Sequence, residues 1–265
     1  MRIIVCLKEV SDPEASHTQF SVNPQAAQVV PSDDVPRVVS LYDEHALEAA
    51  IQLKERVGGE VLVVSLGPPS AEALLRRGLA VGADQGILLA DPLFEGLESF
   101  GTAYVLSRAI QRIGEFQLIV CGLQSADRGA GIVGPALAHL LGIVSVTAVR
   151  GMEVQGDRLM LERNIQGDEL IECSLPALLT VGSEINKPRY PALKAFMEAR
   201  RKEIARWTGA DIGVDGAQLE EYARLVEPVG AFILRPSRRS WIIEEDTPAQ
   251  AGAALATKLR ADRVL

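Results

Sequence analysis

The chain has 265 residues, a formal net charge of −8 and a pI near 5.1. This length fits one large α/β domain, alone or with an appendage, and the acidic balance argues against nucleic acid as the main partner because phosphate binding needs a basic surface. The sequence has no apolar run of the roughly 18–20 residues that cross a bilayer, and MRIIVCLKEV lacks the features of a signal peptide, so we expect a cytoplasmic protein without a transmembrane segment.

In chain order, the first half of the sequence alternates apolar runs with amphipathic segments. Buried strands are predicted at residues 2–7, 60–67, 85–90 and 117–122. Helices are predicted at residues 43–57, 71–81, 98–113 and 130–142. Strands that alternate with helices of this size indicate βαβ units. The predicted fold class is therefore α/β, with a mostly parallel, doubly wound sheet.

The pattern changes after about residue 143. Short strands separated by glycine turns follow, ending in the apolar run ALLTV, and they are predicted to extend the sheet in antiparallel fashion. Beyond them we expect short helices near 216–225 and 247–260. The predicted division is an α/β domain over 1–190 and an appendage over 191–265, which consists of a partner-docking segment and a C-terminal arm lying on another subunit. The alternative for the arm is a free-standing domain.

The stretch GLQSADRGAGIVGPALAHLLG, residues 122–142, follows a predicted strand and opens a helix. Glycine permits a positive φ and close backbone approach, and the N–H groups at a helix start attract anions. Backbone groups for a phosphate could come from Gly129, Ala130, Gly131 and Gly134. Arg128 could add a charged contact, and Asp127 could cap the helix or hold the loop. The alternative is an ordinary strand-to-helix turn whose glycines serve packing, since neither GxGxxG nor GxxxxGK[ST] is present.

No catalytic constellation is visible in the sequence. Neither GxSxG nor HExxH occurs, the three histidines are scattered, and Cys6, Cys121 and Cys173 lack metal-ligand spacing. We expect reduced, buried thiols, no metal and no catalytic residue. These features favour a binding or electron-carrying protein over a hydrolase.

Six stretches, in chain order, together resemble the beta subunit of electron transfer flavoprotein over roughly residues 1–205. They are MRIIVCLKEVSD, YDEHALEAAIQLKE, VVSLGPPSAEALLRRGLAVGADQGI, GLQSADRGAGIVGPALAHLLG, LERNIQGDELIECSLPALLTV and INKPRYPALKAFMEARRK. The resemblance implies an adenine-nucleotide alpha-hydrolase-like fold and a heterodimer with an alpha subunit. It also implies an FAD shared with that subunit and a structural AMP in the beta subunit. A second FAD replaces the AMP in electron-bifurcating members, which would add an NADH-dependent flavin oxidoreductase activity.

The resemblance also assigns residues to the nucleotide site. They are Cys6, Leu7, Ser40, Leu41, Tyr42, Asp43, Leu66, Gly122, Gln124, Asp127, Arg128, Gly129, Ala130, Gly131, Ile132, Val133 and Gly134. The sequence departs from the family pattern where Ser40-Leu41 replaces Asn-Pro, Gly129 replaces an acid and Ile132 replaces Gln. These departures fit a phosphate held chiefly by backbone, in AMP or in FAD.

A partner-docking segment is implied at Leu193, Phe196, Met197, Arg200 and Arg201, where an apolar anchor adjoins basic residues. The alternative is a connector that packs on the protein itself. The implied partners are an acyl-CoA-type or other flavin dehydrogenase and a redox acceptor such as a quinone oxidoreductase. Arg163 and the loop 10–13 could approach the shared flavin.

The predicted function is therefore electron transfer between redox proteins. Alternatives of other classes are an adenine-nucleotide-binding stress or sensor protein and an ATP-pyrophosphatase-like adenylating enzyme. The enzyme needs an SGGxDS-like loop after the first strand, where the chain has KEVSDP.

Overall fold

A computed structural model describes residues 1–23, 28–156, 158–233 and 240–264. The chain divides into two compact units, Met1–Ala231 and Phe232–Leu265. None of the helices in these described ranges is long and apolar enough to cross a membrane.

Most of the regular structure belongs to the first unit. Its strands are β1 (Arg2–Cys6), β2 (Glu9–Ser11), β3 (Phe20–Asn23), β4 (Gln28–Pro31), β5 (Arg37–Val39), β6 (Glu60–Leu66), β7 (Gln85–Leu89), β8 (Leu118–Gly122), β9 (Val144–Gln155), β10 (Arg158–Asn164), β11 (Asp168–Ser174), β12 (Ala177–Val181) and β13 (Ile204–Trp207). Its helices are α1 (Leu41–Val57), α2 (Glu72–Val81), α3 (Ser99–Ile113), α4 (Val133–Leu141), α5 (Leu193–Ala199) and α6 (Gly216–Ala223). Helix α7 (Pro248–Ala261) belongs to the second unit.

The main sheet has nine strands in the order β11-β10-β9-β12-β8-β1-β6-β7-β13. All neighbours from β9 to β13 pair in parallel, and β9-β10-β11 form an antiparallel meander at one edge. The predicted fold class, a mostly parallel α/β sheet with an antiparallel extension, is confirmed.

Two features of the sheets differ from the sequence expectations. Strand β12, the ALLTV run, is not antiparallel but lies parallel between β9 and β8. All five of its residues are buried, which explains why it occupies the interior of the sheet rather than its edge. The small antiparallel pairs β2-β5 and β3-β4, and the edge strand β13, were not predicted, because such short strands carry little periodicity.

Helices cover both faces of the sheet because successive strand residues point to opposite sides. Ile3 and Val5 of β1 belong to a core shared with α1 and α2. Ile4 of β1 and Ile119 of β8 belong to a second core shared with α3, α4 and α6. The sheet is thus enclosed between two apolar layers, and its strand ends remain available for a site.

Helix α1 illustrates why the local sequence forms these elements. Acidic Asp43 and Glu44 lie in its first turn and basic Lys54 and Arg56 in its last, as the helix dipole favours. Gly58 follows with φ 75°, a backbone conformation that ends the helix.

The structure divides the chain after Ala231, whereas the sequence predicted a boundary after residue 190. Strand β13 and helix α6 follow residue 190 but belong to the first unit. Residues 234–239 of the predicted arm lie outside the described residues. The packing of this arm on another subunit stays a prediction.

Replacing Leu75 with Ala tests the core under α2, where this side chain is fully buried. The lost burial and the resulting cavity should lower the free energy of unfolding by about 2–5 kcal/mol. Urea denaturation measures the change. Leu225→Ala, at a side chain 58% exposed, should change stability by no more than about 0.5 kcal/mol. Equal losses in both variants would contradict the assignment of Leu75 to the core.

Candidate functional site

A cleft lies where the carboxyl ends of β1, β6 and β8 meet the starts of α3 and α4. It contains about 980 Å³ of empty space, part of which is open solvent. In the sheet, β6 pairs with one side of β1, whereas β8, which comes later in the chain, pairs with the other side. Such a reversal of strand order is the usual position of a ligand site in an open α/β sheet.

Most residues of the predicted nucleotide site line this cleft. They are Cys6, Leu7, Asp43, Leu66, Gly122, Gln124, Arg128, Ala130, Gly131, Ile132, Val133 and Gly134. The structure places Ser40, Leu41, Tyr42, Asp127 and Gly129 beside the lining rather than in it. The sequence also missed part of the wall, which comes from residues at the start of α3, among them Leu97, Glu98 and Thr102.

Asp43 joins the two strands that flank the cleft. Its Oδ2 accepts a hydrogen bond of 2.8 Å from the Lys8 backbone N–H, just after β1. Its Oδ1 accepts one of 3.1 Å from the Gly122 N–H, at the end of β8. Burial raises the pKa of the Asp43 carboxyl to about 7, although the two N–H donors oppose that rise.

Gly122 is required for this contact. A Cβ atom at that position would lie 2.4 Å from Asp43 Oδ1 and 2.8 Å from Tyr42 Cβ. No side chain fits at such distances, so the glycine allows the start of α1 to approach the end of β8.

Ser40 contributes to the site although it does not line the cleft. The residue is fully buried, and its Oγ accepts a hydrogen bond of 3.1 Å from the Ala126 N–H. This bond fixes the loop between β8 and α4 against the start of α1. Leu41, in contrast, is 49% exposed and points away from the core.

Lys8 and Asp127 form an ion pair at the polar side of the cleft. The Lys8 Nζ lies 2.8 and 2.7 Å from the two Asp127 oxygens, and Asp127 also accepts the Arg128 N–H at 2.8 Å. Burial alone would raise the pKa of Asp127, but the Lys8 ammonium and the other donors hold it below its usual value. Asp127 therefore holds the loop, one of the two roles predicted for it.

Arg128 is paired across the cleft. Its Nη1 lies 2.5 Å from Oε1 of Glu98, whose side chain is only 11% exposed at the start of α3. Lys8 and Glu98 were not among the predicted site residues. The sequence could have pointed to Lys8 as a site residue, because it directly follows a predicted buried strand. For Glu98 the sequence offered only its position at a predicted helix start.

Both positive side chains of the cleft thus have carboxylate partners, and further capacity for an anion comes from backbone. Helices α3 and α4 both begin at the cleft, where their first N–H groups lack partners within the helix. Gly129 and Gly131 adopt φ of 63° and 65° in the loop before α4. A Cβ at Gly131 would meet only the Leu123 carbonyl oxygen, at 3.4 Å, so the loop keeps an open cradle.

Part of the cleft lining is an apolar wall. It comes from Cys6, Val64, Leu66 and Leu106, at the ends of β1 and β6 and along α3. An apolar wall combined with an anion-attracting glycine loop suits a flat ring joined to a phosphate. The residues present therefore fit a nucleotide.

Cys121, at the base of the cleft beside half-buried Cys6, has the properties of a buried thiol. The Cys6 thiol, through its hydrogen bond to Cys121, and burial raise the pKa of Cys121 well above its usual value. Such a thiol is a poor nucleophile. Within the described ranges no three His, Cys, Asp or Glu side chains are arranged to hold a metal ion.

The predicted docking residues lie on the surface around α5. Leu193 is 82% exposed, Met197 50% and Phe196 36%, and Arg200 and Arg201 are also exposed. They form one apolar and basic patch, which we call the α5 patch.

The two groups expected to approach a shared flavin differ in exposure. The Arg163 guanidinium pairs with Glu169 across β10 and β11, and its side chain is 26% exposed. Val10, in the loop 10–13, is buried in β2.

Comparison with known proteins identifies related sequences. The family model described as "Electron transfer flavoprotein domain" matches residues 29–212. The electron transfer flavoprotein subunit beta of Thermoanaerobacterium thermosaccharolyticum is 39% identical over 221 residues, covering 83% of each chain. Protein FixA of Bradyrhizobium diazoefficiens is 35% identical over 262 residues, covering 95% of this chain and 89% of its own. The caffeyl-CoA reductase-Etf complex subunit CarD of Acetobacterium woodii is 35% identical over 216 residues, covering 81% and 80%.

Asp43→Asn tests the contact between β1 and β8. The two N–H groups bond to different oxygens of Asp43, and asparagine has an NH2 group in place of one of them, so one N–H loses its acceptor and the variant should be less stable by about 1–3 kcal/mol. The raised pKa means that folded Asp43 holds a proton between about pH 4 and 7 that the unfolded chain has lost. The contribution of Asp43 to the free energy of unfolding therefore falls as pH rises through that window.

The advantage of the wild type over Asp43→Asn should accordingly shrink by about 1–2 kcal/mol between pH 5.5 and 8.5, as measured by urea denaturation at each pH. The control is Asp33→Asn, at an exposed residue, which should leave the pH profile unchanged. A difference between wild type and Asp43→Asn that is constant with pH would contradict the raised pKa.

Proposed function

The chain belongs to the electron transfer flavoprotein family, and on that premise we propose that it acts as the beta subunit of the heterodimer. In this function the complex accepts electrons from a flavin dehydrogenase and delivers them to a second redox protein, such as a quinone oxidoreductase. An FAD shared with the alpha subunit supplies the redox chemistry. The chain itself transforms no small substrate.

The observation that carries the proposal is the cleft at the reversal of strand order, with its glycine loop and two helix starts. We assign it to the adenine nucleotide of the beta subunit. The backbone around Gly131 and the starts of α3 and α4 would hold the phosphate, and the apolar wall around Leu66 would contact the base.

The charges of the cleft support AMP as that nucleotide. Lys8 is neutralised by Asp127 and Arg128 by Glu98, so the side chains add little net positive charge. A single phosphate held by backbone N–H groups suits this balance better than the two phosphates of FAD. A second FAD, and with it electron bifurcation, is the alternative outcome of the test below.

The α5 patch supports the second part of the proposal, contact with a donor dehydrogenase. Leu193 projects an apolar side chain that is 82% exposed at the start of α5, and the exposed Arg200 and Arg201 follow its last residue. Such an anchor suits a partner with an apolar pocket bordered by carboxylates, since complementary charge steers encounter and the anchor supplies affinity.

The free cysteines Cys6, Cys121 and Cys173 support a reducing compartment such as the cytosol.

Cofactor content of the co-expressed heterodimer tests the nucleotide assignment. Ligands are released by denaturation and quantified by chromatography, and we expect one FAD and one AMP per heterodimer. Gly131→Val should lose the AMP, because a β-branched residue is strained at φ 65° and its methyl groups enter the cradle.

Gly114→Val is the matched control, since Gly114 also has a positive φ, 87°, with open space around it, but lies at the far end of α3. It should retain both cofactors. Two FAD and no AMP in the wild type would replace the AMP assignment by the bifurcating form. Full nucleotide content in Gly131→Val would remove the loop from the site.

Leu193→Ala tests the α5 patch. The loss of the exposed anchor should slow electron transfer from a flavin dehydrogenase on the order of tenfold while the flavin content stays unchanged. Stopped-flow reduction of the heterodimer at varied dehydrogenase concentration measures the rate. Leu225→Ala, at another exposed leucine, should behave as the wild type. A normal rate in Leu193→Ala would reassign the patch to internal packing.

A further inference from the structure

The chain between β12 and α5, residues 182–192, contains no helix or strand, and it leads directly into the α5 patch. Two of its side chains, those of Asn186 and Arg189, bond to residues of α1. The Asn186 Nδ2 donates a hydrogen bond of 3.0 Å to the His45 carbonyl oxygen, and the Asn186 Oδ1 lies 3.1 Å from His45 Nδ1.

Arg189 makes the stronger attachment to α1. Its Nε lies 2.9 Å from Glu48 Oε2, and its Nη1 lies 2.6 Å from Glu55 Oε1. The Glu48 side chain is only 3% exposed, whereas that of Glu55 is 54% exposed. The Arg189 backbone N–H also donates to Glu48 Oε2, at 3.3 Å, so both the backbone and the side chain of this residue are fixed.

A second arginine, on α2, holds the far end of α5. The Arg76 Nη1 donates hydrogen bonds of 3.1 Å to the carbonyl oxygens of Ala199 and Arg200. Glu72, one helical turn before Arg76, orients the guanidinium at 2.5 Å. The carbonyl groups of the last residue of α5 and of the residue after it therefore accept hydrogen bonds from a side chain of another helix.

Between these two attachments, α5 packs against α2 but buries little of its own surface. It has seven residues, of which only Ala199 is buried. A helix of this length is unstable in isolation, because nucleation costs more than so few hydrogen bonds return. Its position therefore depends on contacts made outside it.

We propose that Arg189 is a positioning residue for partner docking, which holds the approach to α5 on α1 so that the α5 patch is presented in an ordered form. This inference rests on the proposed function of that patch. The partner is a redox protein that offers an apolar pocket to Leu193 and carboxylates to Arg200 and Arg201. A segment ordered before encounter loses less conformational freedom on binding, so the attachment favours affinity rather than the electron-transfer step.

The test uses the intact heterodimer and a flavin dehydrogenase of the acyl-CoA type, reduced by its own substrate. Arg189→Gln removes the charge, and Arg189→Lys keeps a cation beside buried Glu48 but cannot span both carboxylates. We expect Arg189→Gln to raise the KM of the dehydrogenase for the heterodimer on the order of tenfold with kcat nearly unchanged. Arg189→Lys should give an intermediate KM.

Hydrogen exchange provides a readout independent of activity. Amides of residues 183–201 should exchange faster in Arg189→Gln, while the amides of β1 and β8 keep their protection. Flavin and nucleotide content should match the wild type. The matched control is Arg2→Gln, since Arg2 is 35% exposed against 36% for Arg189 and pairs with a glutamate, but its hydrogen-bond partners, Gln117, Glu60 and Glu115, lie outside α1 and the segment. It should leave both KM and exchange in the segment unchanged.

The outcomes separate this inference from the proposed function. If Leu193→Ala raises KM but both Arg189 variants leave it unchanged, the patch docks without Arg189 and the inference is overturned. If Leu193→Ala also leaves KM unchanged, the docking function itself fails. Equal loss of kcat, cofactor and protection throughout the chain in both Arg189 variants would mark Arg189 as a general stabilising residue and would also overturn the inference.

Discussion

The contact on which the site depends is the buried carboxylate of Asp43. It accepts N–H groups from the ends of two neighbouring strands, at Lys8 and Gly122, and so fixes the start of α1 at the point where strand order reverses. Moving a carboxylate out of water costs free energy, and the raised pKa of Asp43 reflects that cost. The cost is offset because both oxygens have backbone donors and because Gly122 leaves room for the approach. This contact therefore holds α1 and the ends of β1 and β8 together, and these elements form part of the cleft.

Helix α1 contacts both of the proposed functional regions. Its first turn fixes the cleft through Asp43, and its outer face holds the segment before α5 through Glu48 and Glu55. The helix packs on the sheet through fully buried residues such as Ala46 and Ala50. A rigid element of this kind gives a loop-borne site a defined geometry, which is what an electron carrier needs if it is to meet its partner in a productive orientation.

The cleft holds its ionic groups in pairs. The Lys8–Asp127 and Arg128–Glu98 pairs leave no strong net charge, and the attraction for a phosphate comes chiefly from helix starts and a glycine loop. This arrangement fits a nucleotide that is retained as part of the fold. It also agrees with the buried Cys121 thiol at the base, whose raised pKa makes it a poor nucleophile.

The sequence by itself determined the alternation of strands and helices, the glycine loop between β8 and α4, and the family resemblance. Each of these depends on contiguous residues with a regular period or spacing. Only the tertiary structure decided that ALLTV lies parallel inside the sheet, that Glu98 faces Arg128 and that Arg189 pairs with Glu48, 141 residues away. A strand's partners depend on which faces are buried, and an ion pair between distant residues leaves no periodic trace in the sequence. Such contacts arise only when the fold brings separate elements together.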